Sequence, residues 1–167
     1  MTELETNTLY IALSARNDEG DYHWALLLPF SPTKYGYYDA TNSAAVGGRW
    51  TSQILEEFLP VTSHNLVSIY RVGSISAVEG ARNKVEEICR TVQANGEPSL
   101  RTGKNFNCKV WVQDVLFKLD GMDVLKLKKS LDDIEIEIFR YADSVEDEVL
   151  AGKRPALVIN DTLASKY

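Results

Sequence analysis

The hydrophobic period of this chain changes once, near residue 75. Before that point apolar residues alternate or run in short blocks separated by turn residues. After it they recur at helical spacing. Strands first and helices later is the order of an α+β domain built on an antiparallel sheet. Residues 8–15 (Thr-Leu-Tyr-Ile-Ala-Leu-Ser-Ala) form the first predicted strand, closed by the turn Asn17-Asp18-Glu19-Gly20. Residues 21–28 form the second, with Tyr22, Trp24, Leu26 and Leu28 on one face and His23, Ala25 and Leu27 on the other. Both faces are mostly apolar, so this strand reads as central and covered on both sides. Pro29, Ser31 and Pro32 end it. Residues 36–41 give a third strand, completing a meander, and the β-branched, alternating stretch 65–73 gives another. The run from Arg49-Trp50 to Phe58 fits a strand or a helix.

In the second half, Ser76 to Gln93 reads as a helix, with Val85, Ile88, Cys89 and Val92 at i, i+3, i+4 and i+7. Residues 95–107 are rich in Gly, Pro and Asn and read as a loop. Cys108, Trp111, Val112, Val115, Leu116 and Leu119 then mark the clearest helix, stopped by Asp120-Gly121. A third helix is predicted from Leu131 to Leu150, with acidic residues on its exposed face. The tail from Lys153, containing Arg154-Pro155, reads as irregular or as a short strand. No repeat or linker divides the chain, so residues 1–167 are expected to form a single α+β domain, an antiparallel sheet of about five strands packed against helices.

Composition narrows the function. The 167 residues are 44% apolar and 25% charged, with a net charge of −6 and no Lys/Arg cluster, which argues against nucleic acid or an anionic membrane surface as partner. The longest apolar runs, such as Trp24 to Phe30, are too short to span a bilayer. The acidic start Met1-Thr2-Glu3-Leu4-Glu5-Thr6 lacks the basic and apolar parts of a secretory signal, so a cytoplasmic location is expected. Two cysteines without framework spacing suit free thiols in a reducing compartment. Cys89, Cys108, His23 and His64 are too scattered for structural zinc, and no Asp-x-Asp-x-Asp-Gly loop is present. The chemistry is therefore expected to need no metal or cofactor.

Cys108 is the residue on which chemistry could turn. With Asn107 as N-cap it becomes the first residue of its helix, where unpaired amides and the helix dipole favour a thiolate and could hold an oxyanion. It is also in phase with the apolar stripe, so a buried small hydrophobe is the bland alternative. Cys89, mid-helix, belongs to the core. His23 is either a base for the Cys108 thiol or a satisfied core histidine. His64, in Thr62-Ser63-His64-Asn65, reads as a turn residue. Asp39, within Tyr37-Tyr38-Asp39-Ala40-Thr41, is either an edge carboxylate or the group that orients the His23 ring, a role for which Asn42 competes. The aromatic residues Tyr35, Tyr37, Tyr38, Trp24 and Trp50 line a substrate groove on one reading and pack the sheet on the other.

Three segments carry a resemblance. Tyr22-His23-Trp24-Ala25-Leu26, Tyr38-Asp39-Ala40-Thr41-Asn42 and Phe106-Asn107-Cys108-Lys109-Val110-Trp111-Val112 resemble a group of small uncharacterised fungal proteins. Their layout in turn looks like the circularly permuted branch of the papain-like NlpC/P60 superfamily, which includes lecithin:retinol acyltransferase-like proteins. The resemblance covers roughly residues 8–120. It implies a permuted papain-like fold with Cys108 as nucleophile, His23 as base and Asp39 as the third polar residue, and it suggests Trp24, Tyr37, Asn42, Asn107 and Trp111 as substrate contacts. The pattern usually has histidine where this chain has Asp39.

Three functions fit these residues. One is cysteine-dependent acyl transfer, as amidase, peptidase, thioesterase or acyltransferase. Another is a non-catalytic member of the fold that binds a small molecule or a protein through its aromatic face. The last is a biosynthetic cyclase or rearrangement enzyme with His23 and Asp39 as acid and base. A small-molecule or peptide-like substrate is the expected partner, and the oligomeric state stays open.

Overall fold

The structure, a computed structural model, describes residues 4–63, 65–76 and 79–160. The elements follow one another as β1 (Thr8–Ala15), β2 (Tyr22–Ser31), β3 (Lys34–Thr41), β4 (Thr51–Phe58), β5 (Leu66–Ser74), α1 (Ala81–Thr91), α2 (Cys108–Gly121), α3 (Leu131–Leu150) and β6 (Leu157–Ile159). The strands form one sheet in the order β4-β3-β2-β1-β5-β6. β1 to β4 are the predicted antiparallel meander extended by one strand, and β5 pairs antiparallel with the other edge of β1. β1 and β2 occupy the middle, which is why both of their faces are apolar.

The sheet is mixed, not antiparallel throughout, and has six strands where about five were expected. β6 pairs parallel with β5 through Ser68↔Leu157 to Tyr70↔Ile159. A parallel neighbour needs a crossover connection, and α1, α2 and α3 together form it. Residues 51–58, ambiguous in the sequence, become strand because β3 offers a continuous partner from Lys34↔Phe58 to Thr41↔Thr51. α1 starts later than its apolar period suggests. Gly80 precedes it with φ 82°, a left-handed conformation that no helix interior contains. The part of that prediction on residues 77–78 lies outside the described residues.

All three helices contribute to one core on one face of the sheet. Val85, Ile88 and Cys89 of α1, Trp111, Val115 and Leu119 of α2, and Ile134, Ile138 and Val145 of α3 meet Leu9, Leu13, Trp24, Leu26 and Tyr38. Burying some 30 apolar side chains at about 25 cal/mol per Å² is the main force holding the helices on the sheet. The opposite face carries a smaller cluster of Tyr10, Ala12, Leu27, Tyr35, Leu66 and Ile69, with Leu59, Val61 and Ala156 over it. Among the described residues no helix is long and apolar enough to cross a membrane.

Polar contacts then fix α3 against the rest. Tyr22 Oη donates to Asp143 at 2.8 Å and Glu146 at 2.9 Å, and the Gly20 amide donates to Glu146 at 3.2 Å. Lys109 and Gln113 of α2 both reach Glu135. The β1–β2 hairpin and the start of α2 are thus tied to one helix.

Candidate active site

The geometry begins at Asn107. Its backbone is extended, at φ −158° and ψ 175°, and its side-chain oxygen accepts from the Val110 amide at 2.9 Å. This is an N-cap, and it makes Cys108 the first helical residue. The Trp111 amide bonds the Asn107 carbonyl at 3.0 Å. The amides of Cys108 and Lys109 are left without intrahelical acceptors, at the positive end of the helix dipole.

Cys108 is only 3% exposed and reaches His23 by a route the strand pattern does not suggest. Tyr22, Trp24, Leu26 and Leu28 face the helices, so His23 points to the other side of the sheet. The β2–β3 ladder stops at Ala25↔Asp39, although β1 follows β2 as far as Ala15↔Tyr22. The thiol sits where β3 has left β2. Its sulfur lies 4.0 Å from the Tyr22 carbonyl, on the uncovered edge of β2. Through that gap it meets the imidazole.

The register supplies the other two partners. Asp39 stands opposite Ala25, diagonal to His23 on the same face, and its Oδ2 lies 2.7 Å from His23 Nε2. Ser14 stands opposite His23, so Arg16, two residues further along, shares that face from the other side. Arg16 Nη2 lies 3.1 Å from His23 Nδ1 and donates to Cys108 Sγ at 3.4 Å. A guanidinium only donates, so in this arrangement Nδ1 is the acceptor and Nε2–H donates to Asp39. The Asp39 side chain is 5% exposed and that of His23 20%.

These neighbours shift both titrating groups. Burial pulls the His23 imidazole down, but the hydrogen bond to Asp39, the contact with Cys108 and the two negative charges raise it to about 9. Burial pushes the Cys108 thiol up. The hydrogen bond with His23, the Trp24 amide, and the charges of His23 and Arg16 outweigh it and bring the thiol below its ordinary value. The two shifts favour a thiolate–imidazolium pair. Cys89 shows the contrast: burial first, then Glu86, pushes its thiol up to about 12, and it lies in the core as expected.

The structure brings Cys108, His23 and Asp39 together. Tyr37 lies on the same sheet face, half-buried; burial, then the Asp39 charge, holds its phenol above the ordinary tyrosine range. The other expected substrate contacts differ in burial. Trp24 is 2% exposed and packs edge-on to Phe139 at 5.6 Å, and Trp111 is fully enclosed in the main core. Asn107 has its side-chain oxygen engaged in the cap. Asn42 is exposed, just past the end of β3, and it is Asp39 that lies within hydrogen-bond distance of the ring. His64 lies outside the described residues. Arg16 has no signal of its own in the sequence, where it stands between the first strand and the turn. Pairing strand 8–15 with 21–28 around the turn would have placed it beside His23.

The chain belongs to the family of unknown function DUF6540, which matches residues 9–126. That span includes Arg16, His23, Asp39 and Cys108. No curated protein and no solved structure matches the chain.

Proposed function

We propose that this member of the family is a cysteine-dependent acyl-transfer enzyme acting on a small-molecule or peptide-like substrate, with its strands and helices arranged as in the permuted papain-like proteins. What carries the reading is the convergence of a depressed thiol, a carboxylate-held imidazole and two helix amides without intrahelical acceptors at one point. The Cys108 thiolate attacks the substrate carbonyl and forms a C–S bond. The oxygen that becomes negative is held by the amides of Cys108 and Lys109. The His23 imidazolium gives its Nδ1 proton to the departing amine, alcohol or thiol, and the carbonyl re-forms as a thioester on Cys108. Water or an acceptor nucleophile then gives its proton to His23 and releases the acyl group. Asp39 keeps the imidazole oriented through Nε2 and stabilises its charged form. The free thiols suit a reducing, cytoplasmic compartment.

The reading is tested with p-nitrophenyl acetate. The expected result is acetylation of Cys108, detected by mass spectrometry and accompanied by a burst of nitrophenol. Cys108→Ala should abolish both, and His23→Gln should slow the burst by about 10²–10⁴-fold, the usual worth of a positioned acid–base group. A Cys108→Ala protein that still gives the burst sinks the proposal.

A further inference from the structure

We propose that Arg16 is the anion-recognition residue of this site and selects acyl substrates that carry a carboxylate close to the reacting carbonyl. The inference rests on the reading of Cys108 as nucleophile and deepens it by naming a substrate class.

Three observations support it. Arg16 lies in a hairpin with Asp18, Glu19 and Asp21, yet it forms an ion pair with none of them and with no other carboxylate among the described residues. Arg71, Arg82, Arg90, Arg101 and Arg154 each face an acidic side chain, whereas Arg49 and Arg140 also have no ion pair among the described residues, and neither contacts a thiol or an imidazole. An arginine surrounded by local acids but turned toward a thiol is held by the site, not by the surface.

The second observation is geometric. Both Arg16 contacts use Nη2, at 3.1 Å from His23 Nδ1 and 3.4 Å to Cys108 Sγ. Nη1 and Nε carry three further N–H donors in the same plane, and each two-point contact with a carboxylate pairs one of these nitrogens with Nη2, so the fork is completed when Nη2 gives up His23 Nδ1. Arg16 is exposed, while Cys108 beneath it is buried. An incoming carboxylate therefore meets the fork before its carbonyl meets the sulfur.

The third is the conflict between donors. Arg16 can stay on Nδ1 only while that nitrogen is unprotonated. When the thiol passes its proton to Nδ1, two donors face each other and the arginine must give up that contact. Forming the reactive ion pair thus releases one Nη2–H from Nδ1 to complete a fork for a substrate anion, while Nη2 keeps its contact with the sulfur. Five side-chain N–H donors with no carboxylate partner among the described residues suit Arg16 to an incoming anion.

Iodoacetate and iodoacetamide test this with the protein as it stands. They are close to isosteric and differ in a carboxylate. With either, the Cys108 thiolate attacks the methylene, a C–S bond forms, the C–I bond breaks and iodide leaves. The ratio of the two rates at Cys108, followed by peptide mass spectrometry near neutral pH, should fall at least about tenfold from wild type to Arg16→Met, the worth of one charge-assisted contact. Arg16→Lys, which keeps the charge without the fork, should fall between them. A ratio that Arg16→Met leaves unchanged, with Cys108 still reacting well below the free-thiol pKa of about 8.5, overturns the role of Arg16 alone. An ordinary alkylation pKa in wild type overturns that role together with the nucleophile reading.

Discussion

His23 has two ring nitrogens, and each faces a different group. Nε2 is held by Asp39 at 2.7 Å, and Nδ1 is shared between Arg16 and the thiol. The value of about 9 follows from burial working against Asp39 and Cys108, so removing either partner should move it down. NMR titration of the imidazole in Cys108→Ala and in Asp39→Asn should give values below about 9, with Cys108→Ala losing both a hydrogen bond and a charge. An unchanged value in both variants would show that neither group holds the proton. At this scale the sequence names Cys108, His23 and Asp39 from a cysteine at a helix start, a histidine on an apolar strand and a carboxylate between aromatic neighbours, each with a bland alternative that only their convergence outweighs. Arg16 is not legible there. A charged residue beside a turn is ordinary, and only the hairpin register turns it toward the site.

Among the elements, α2 does the most for the chemistry, and its first turn depends on one side chain. Asn107→Ala removes the bond to the Val110 amide and should cost about 1 kcal/mol in urea unfolding, a typical cap value. It should also raise the Cys108 alkylation pKa, because a frayed first turn no longer aims amides and dipole at the sulfur. Loss of stability without any change in the thiol would separate the cap from the site. α2 and α3 were legible because both start at a capping side chain, Asn107 and Ser130, and both have long apolar stripes. β4 and β6 were not, for a different reason. β4 is exposed along much of its length, so its side chains carry little periodic signal, and β6 has three residues. Each is a strand because a neighbour has an open edge, and that information is nonlocal. The end of the β2–β3 ladder is equally invisible in sequence, and it decides how the thiol reaches His23.

At the scale of the whole molecule, the Cys108–His23 contact links the first hairpin to a helix in the later half of the chain, so its protonation states should be visible in folding. An imidazole raised to about 9 keeps its proton in the folded chain where the unfolded one has released it, from 6.5 upward. Its contribution is complete below 6.5 and is lost as pH rises through about 9. The depressed thiol works in the other direction. It is ionised in the folded chain below the unfolded value, so its contribution is present above the ordinary thiol range and is lost as pH falls through its folded value. Above 6.5 and below about 9, wherever the folded thiol is ionised, the folded pair has passed one proton from sulfur to nitrogen and holds the same number as the unfolded chain, so stability there should vary little with pH. A double-mutant cycle with Cys108→Ala and His23→Gln, read by urea unfolding, should give a coupling energy of roughly 1–3 kcal/mol near pH 7.5. By pH 10 the imidazolium is gone and the coupling should have largely disappeared; at acid pH the thiolate is gone and it should shrink again. Coupling that persists undiminished at pH 10 would mean that packing, not the ion pair, joins the two halves of the site.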